Sequence, residues 1–239
     1  MHDIMIFQRV ESKYVIDLQQ KEKLLSLLLP HLVPDIHGVS TISSLYMDTP
    51  DFRLVRASMD GKIYKEKLRL RSYGVPSLSD RVFLEIKKKY RGVVYKRRES
   101  MMLSEAKEYL QGKRSATPSQ IMREIDYAFS YYKELSPSMQ ISYEREAYTM
   151  KEDPQVRITF DHGIRYRTQE LFLENGNYGK RILGEDLYVM EIKTLGGMPV
   201  FLSHLLDELK IYPGSFSKYK NSFFDGQTAK QVKILIGEV

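Results

Sequence analysis

Cations recur on every second residue between Lys62 and Arg98, and only extended backbone gives that spacing a meaning. Lys65, Lys67, Arg69 and Arg71 alternate with Glu66, Leu68 and Leu70. Successive side chains of a strand point to opposite faces, so this order puts four cations on one face and the leucines on the other. The next run repeats the pattern, with Glu85, Lys87 and Lys89 on one parity and Val82, Leu84 and Ile86 on the other. A third run, after a turn at Arg91-Gly92, sets Lys96 and Arg98 together. Glu11 and Lys13 share a parity near the start of the chain, and Glu191 and Lys193 near its end. A helix would scatter these residues around its circumference. Strands gather them, and the pattern predicts one charged surface, assembled from many strands, as the seat of function.

Charge is concentrated in the same region. Residues 61–100 hold thirteen Lys/Arg against four Asp/Glu, a local +9, although the whole 239-residue chain carries only +6. A basic field of that density favours an anionic partner. The chain has no cysteine, which rules out disulfides, thiolate nucleophiles and Cys-ligated zinc. The opening MHDIMIFQRVESKY lacks the apolar core of a signal peptide, and no stretch approaches the ~20 apolar residues of a membrane span. The expected setting is soluble and cytoplasmic.

Along the chain, residues 7–16 read as a strand, and Asp17 caps a helix over 18–29 that stops at Pro30. A strand at 42–48 and a short helix at 51–59 follow. Strands are then expected at 62–73, 81–90 and 93–102. Helices over 104–111 and 118–133 come next, the second amphipathic through Ile121, Ile125, Ala128, Phe129 and Tyr132. Three further strands at 139–149, 155–161 and 186–194 precede a helix at 199–210. No repeat or linker divides the sequence, which predicts one α+β domain over residues 1–239.

The strand faces suggest closure. A sheet that buries one face and wets the other has no need for Arg and Glu at strict spacing. Closing the sheet into an eight-stranded antiparallel β-barrel puts the charged face inside, where there is room for side chains or a small ligand. Isolated buried charges cost several kcal/mol each, so such an interior must be wet and partly neutralised. A basic sheet face open to solvent is the plainer alternative. No P-loop, no Gly-x-Gly-x-x-Gly after a strand and no Gly-x-Ser-x-Gly elbow is present.

ESKY (11–14), LYMDTPDF (45–52), KLRLRSYG (67–74), VFLEIKKKYRG (82–92), YKRRES (95–100), SYEREAY (142–148), VRITFDHGIRYR (156–167), VMEIKT (189–194) and SFSKYKNSF (215–223) occur in that order. Together they resemble the catalytic domain of the vacuolar transporter chaperone (VTC) polyphosphate polymerases, within the CYTH-like triphosphate tunnel metalloenzymes. The resemblance implies an eight-stranded tunnel, peripheral helices, a nucleotide triphosphate held with a divalent cation, and transfer of the γ-phosphate to a growing polyphosphate chain. One departure stands out. The Glu-x-Glu-x-Lys signature of the wider superfamily reads Arg9-x-Glu11-x-Lys13 here.

Candidate site residues follow from both sources. Lys67, Arg69 and Arg71 share a face and suit phosphate oxygens, Arg as a planar fork and Lys as a point charge. Lys87, Lys96 and Arg98 extend that face, and Arg157 shares a parity with Thr159 and Asp161. The resemblance adds Lys13, Arg145, Lys193 and Lys218 around the phosphates. It also implies Glu191 as a ligand of Mg²⁺ or Mn²⁺, with Glu11 or Glu85 as the second carboxylate. Such hard ions keep several waters and need only one or two carboxylates beside phosphate oxygens. The expected activity is metal-dependent synthesis of polyphosphate from ATP. A triphosphatase of the same fold and a non-catalytic polyphosphate-binding module are the rivals. Few aromatic residues interleave with the basic ones, which argues against stable nucleic-acid binding.

Overall fold

The computed structural model of the chain describes residues 9–91, 93–113 and 119–235. Its strands are β1 (Arg9–Asp17), β2 (Leu32–Asp48), β3 (Tyr64–Tyr73), β4 (Arg81–Tyr90), β5 (Val93–Met102), β6 (Ser136–Met150), β7 (Arg157–Arg167), β8 (Lys180–Arg181) and β9 (Leu187–Leu195). Its α-helices are α1 (Leu18–Leu28), α2 (Arg53–Met59), α3 (Leu103–Leu110), α4 (Gln120–Tyr132), α5 (Val200–Glu208) and α6 (Lys218–Leu235). Residues 7 and 8 of the expected first strand, and Gly92 of the expected turn, lie outside the described residues.

Hydrogen bonding orders the strands β1-β9-β7-β6-β2-β3-β4-β5, with β8 paired to β7, in one nine-stranded sheet. Among the described residues the first and last strands of that order have one neighbour each, so the sheet does not close. The eight-stranded barrel expected from the sequence is corrected on both points, closure and strand number. Alternation fixes which face a side chain takes. Closure depends instead on whether the terminal strands pair, which their stagger decides. Here β5 carries Lys96, Arg97 and Arg98 consecutively, so both of its faces are charged, a common way of protecting a strand edge.

Contacts divide the chain into two compact units. The first comprises residues 1–40, 144–164 and 183–216, and the second residues 41–143, 165–182 and 217–239, so β2, β6 and β7 each run through both. Each unit has its own core. In the first, Tyr14 and Ile16 of β1, Ile158 and Phe160 of β7, and Met190 and Ile192 of β9 pack with Leu24 and Leu28 of α1 and Leu202 and Leu206 of α5. Asp17 caps α1 through a capping box with Gln20, as its position predicts. In the second, Leu68 and Leu70 of β3 and Val82, Leu84 and Ile86 of β4 pack with Leu54 of α2, Leu103 and Ala106 of α3, and Met122, Ile125 and Ala128 of α4. Full burial of each such side chain contributes about 1.5–3 kcal/mol. These cores fix the parity of β1, β3, β4, β7 and β9 and so decide which of their residues are left for the opposite face.

Candidate functional site

In the second unit the opposite face of β3, β4 and β5 is a grid set by register. Lys67, Lys87 and Lys96 form one row across the three strands, and Arg69, Glu85 and Arg98 form the next. On the other flank of β3, Tyr46 of β2 stands opposite Arg69, and Ser44 opposite Arg71. Lys67, Arg69, Arg71, Lys87, Lys96 and Arg98 therefore share a face on which Glu85 supplies the carboxylate.

Glu85 is almost fully enclosed, with 2% of its side chain exposed. Its Oε2 accepts from Arg69 Nε at 2.8 Å, lies 2.7 Å from Arg69 Nη2 and faces Arg71 Nε at 3.9 Å. Its Oε1 lies 3.0 Å from Lys96 Nζ, an ion contact made at an angle unsuited to a hydrogen bond. Burial alone would raise the Glu85 pKa, but Arg69, Arg71 and Lys96 outweigh it and hold the carboxyl at about 2. Burial in turn pulls the Lys96 pKa down, against the support of Glu85.

The remaining cations have polar or aromatic supports. Lys67 Nζ donates to Ser217 Oγ at 3.0 Å, and Arg71 Nε reaches Ser44 Oγ at 3.4 Å. Lys218, in the first turn of α6, sits 4.5 Å from the centre of the Tyr143 ring, and the Arg98 guanidinium 4.8 Å from that of Phe83. These contacts help to hold the cations in place on the sheet face.

The first unit carries a different set. Across β1, β9 and β7, Glu11, Lys193 and Arg157 form one row, and Lys13, Glu191 and Thr159 the next. Lys13 Nζ lies between two carboxylates, 3.2 Å from Glu11 Oε1 and 3.4 Å from Glu191 Oε1, and also donates to the Phe216 carbonyl at 3.2 Å. The other oxygen of Glu191 faces Lys193 Nζ at 3.1 Å and Arg145 Nη2 at 4.0 Å. Arg145 itself is held bidentately by Asp161, through Nε at 2.6 Å and Nη2 at 2.7 Å, and the Asp161 side chain is fully buried. Arg157, half exposed, pairs with Asp35 at 3.0 Å.

The two sets bear differently on a divalent cation. Among the described residues no three His, Cys, Asp or Glu side chains gather into a cage. Glu11 and Glu191 nonetheless flank a single ammonium, so two hard oxygen donors already converge on one positive charge. That donor set fits Mg²⁺ or Mn²⁺, which take one or two carboxylates and complete their shell with water and phosphate. Glu85 fits less well, because Arg69 holds its Oε2 through two nitrogens and its side chain is almost fully enclosed.

The family model of the VTC domain matches residues 8–224. The chain belongs to the VTC domain family. The resemblance drawn from the ordered motifs is thereby established over nearly the whole chain. Against curated protein sequences the chain has no match. Among solved structures, this VTC domain is similar to a Bacillus halodurans protein described as a putative adenylate cyclase, at 16% identity and a TM-score of 0.55, covering 88% of this chain and 95% of that one. A Hippeastrum protein described as a putative adenylyl cyclase with a dominant triphosphatase activity is similar at 17% identity and a TM-score of 0.54, covering 88% and 93%. The PH1819 protein from Pyrococcus horikoshii follows at 14% and 0.50, covering 92% and 98%. At these identities the likeness is one of fold. No helix among the described residues is long and apolar enough to cross a membrane.

Several supports of the site escaped the sequence. Tyr46 and Ser44 alternate with the core residues Leu45 and Met47, a period-2 signal that places them beside Arg69 and Arg71. Asp161, the partner of Arg145, shares a parity with Arg157 and Thr159, but no spacing rule links it to residue 145. Ser217 sits in the SFSKY segment beside Lys218, and only the fold brings it to Lys67.

Proposed function

We propose that this VTC domain, acting as one functional domain over residues 1–239, is a metal-dependent phosphotransferase that makes inorganic polyphosphate from the γ-phosphate of ATP. The observation that carries the reading is the face of β3, β4 and β5, where Lys67, Arg69, Arg71, Lys87, Lys96 and Arg98 share a side of the sheet with the Glu85 carboxylate, within a chain of this family. Phosphoryl transfer asks little covalent chemistry of the protein, and catalysis comes from positioning and charge stabilisation. In this reading Arg69, held along one edge by Glu85, presents its guanidinium in a fixed orientation. Lys67, steadied by Ser217, and Lys87 and Lys96 in the same row supply point charges along a chain of phosphates. Arg71, Arg98 and Lys218 extend the cationic lining.

Lys13, Arg157 and Lys193 are assigned to substrate in the same reading, whereas Arg145, expected there from the sequence, takes a supporting place. Lys13 and Lys193 make their contacts with Glu11 and Glu191 and can exchange them for phosphate oxygens. Arg145 is committed to Asp161, and its role is to hold that buried carboxylate. Glu11 and Glu191 are the residues that would hold Mg²⁺ or Mn²⁺, with Lys13 yielding its place between them. A bound divalent ion would neutralise charge that develops on the phosphate oxygens. A cytoplasmic setting, where ATP is available, accords with this reading.

A triphosphatase is the second reading, favoured by the dominant triphosphatase activity described for the similar Hippeastrum protein. The two differ only in whether phosphate or water accepts the transferred group. Purified protein incubated with ATP and Mn²⁺ separates them: a polymerase accumulates long phosphate chains, and a triphosphatase releases free phosphate.

A further inference from the structure

Tyr46 lies on the cationic face yet belongs to none of the groups assigned so far. It is buried, with 6% of its surface exposed, and stands directly opposite Arg69 in the β2–β3 register. Its hydroxyl oxygen accepts a hydrogen bond from Arg69 Nη1 at 3.0 Å. Its ring stacks on that of Tyr219, with centroids 4.5 Å apart and planes 10° from parallel. Tyr219 is itself anchored, since its hydroxyl donates to the buried Asp48 carboxylate at 2.7 Å. The same carboxylate accepts the backbone N–H groups of Thr49, Leu54 and Val55 and so fixes the start of α2. The Tyr46 ring therefore has little freedom to turn.

The hydroxyl is only half used. As an acceptor it is satisfied by Arg69, but its own hydrogen meets no acceptor among the described residues. Charges that face it are cations: Arg69, Lys67 and Arg71, all on β3. Glu85 on β4 is occupied by Arg69, Arg71 and Lys96, and Tyr219 on α6 offers its ring face. Tyr143 on β6 lies near Arg69, with the Lys218 ammonium over its ring. A buried O–H with no acceptor is destabilising, and in a field of cations the group that can relieve that cost is an anionic oxygen.

The geometry points to Tyr46 as a phosphate-contacting residue, which steadies Arg69 through its lone pair and donates its hydrogen to an oxygen of a bound phosphate. The inference rests on the reading of the β3–β5 face as the phosphate-binding face. One consequence concerns protons. Burial would raise the phenol's pKa, but Arg69, Lys67 and Arg71 outweigh it and lower it to about 8. The phenolate has no hydrogen to donate and repels phosphate. Bound phosphate must therefore hold the proton on Tyr46, and binding must take up protons as the pH rises past about 8.

The test is calorimetric binding of inorganic tripolyphosphate, without metal or nucleotide, to wild type, Tyr46→Phe and Arg69→Ala at pH 7 and pH 9. Phenylalanine keeps the stack on Tyr219 and removes only the oxygen. The expected result is about tenfold weaker binding by Tyr46→Phe at pH 7. The fall in wild-type affinity between pH 7 and pH 9 should also exceed that of the variant. Wild-type affinity in Tyr46→Phe, or an identical pH dependence, overturns the inference. If Arg69→Ala also binds normally, the phosphate-binding face itself falls. If Arg69→Ala binds poorly while Tyr46→Phe is normal, only the role of Tyr46 falls. A second measurement needs no variant: absorbance near 295 nm follows the first tyrosine of the wild type to ionise. Tripolyphosphate should move that titration to higher pH, and an unmoved titration overturns the inference.

Discussion

Glu85→Gln tests how the cationic face is held together. The carboxylate is buried beneath Arg69, Arg71 and Lys96, and its pKa is drawn from 4.5 to about 2 against the effect of burial. A displacement of that size corresponds to about 3 kcal/mol of folding stability at pH 7. Because the folded pKa lies below the unfolded one, this stabilisation is complete above about pH 5. It is lost as the pH falls through 4.5 towards 2, and by pH 3 about half has gone. Glutamine keeps the volume and one acceptor for Arg69 but leaves three cations without a counter-charge. Urea unfolding of wild type and Glu85→Gln between pH 3 and pH 7 should show a gap of about 3 kcal/mol at pH 7 that narrows to roughly half at pH 3. A gap that stays constant with pH, or no gap, refutes the reasoning. The variant should also keep the wild-type dependence of turnover on Mn²⁺ concentration, since Glu85 is committed to cations of the protein.

Arg69→Ala should weaken tripolyphosphate binding by about 1.5–3 kcal/mol, the worth of a charge-assisted contact, as read by calorimetry. It should also lower stability, because it strips Glu85 of its closest partner. Glu191→Gln should abolish metal-dependent turnover while most of the affinity for tripolyphosphate remains, and normal turnover at ordinary Mn²⁺ would move the metal to other ligands. Arg145→Ala should cost about 3–5 kcal/mol in urea unfolding, because it leaves the buried Asp161 carboxylate without its bidentate partner. Unaltered stability would instead return Arg145 to direct contact with substrate.

The sequence revealed faces more readily than partners. Leu68 and Leu70 against Lys67, Arg69 and Arg71 follow from a period of two, and both cores keep that parity. Which carboxylate meets which cation depends on register. Glu85 and Arg69 share a charged face by parity alone, but their pairing across β3 and β4 comes from the turn between them. Closure was not legible either, because no local pattern says whether β1 and β5 pair. β2 spans 17 residues where the sequence predicts a strand only over 42–48, and Pro34 and Gly38 lie in the part not foreseen. Gly38 is accommodated at φ +56° within the strand. Helix α6 leaves no mark in the sequence, because KYKNSFFDGQ shows no apolar stripe. Its first turns are fixed by tertiary contacts instead, above all Tyr219 on Asp48 and on Tyr46. Tyr46 is hidden for a related reason, since a tyrosine among leucine and methionine reads as core until register places it beside an arginine.

The central claim is that the cationic face of β3, β4 and β5 handles phosphate chains for synthesis. Purified protein supplied with ATP and Mn²⁺, its products resolved by gel electrophoresis and by assay of free phosphate, tests that claim most directly. The expected products are long-chain polyphosphate and ADP from the wild type, with neither formed by Arg69→Ala or Glu191→Gln. Release of free phosphate without chain growth would contradict the polymerase reading and leave the triphosphatase. ATP left intact by a folded wild type that still binds tripolyphosphate would contradict both.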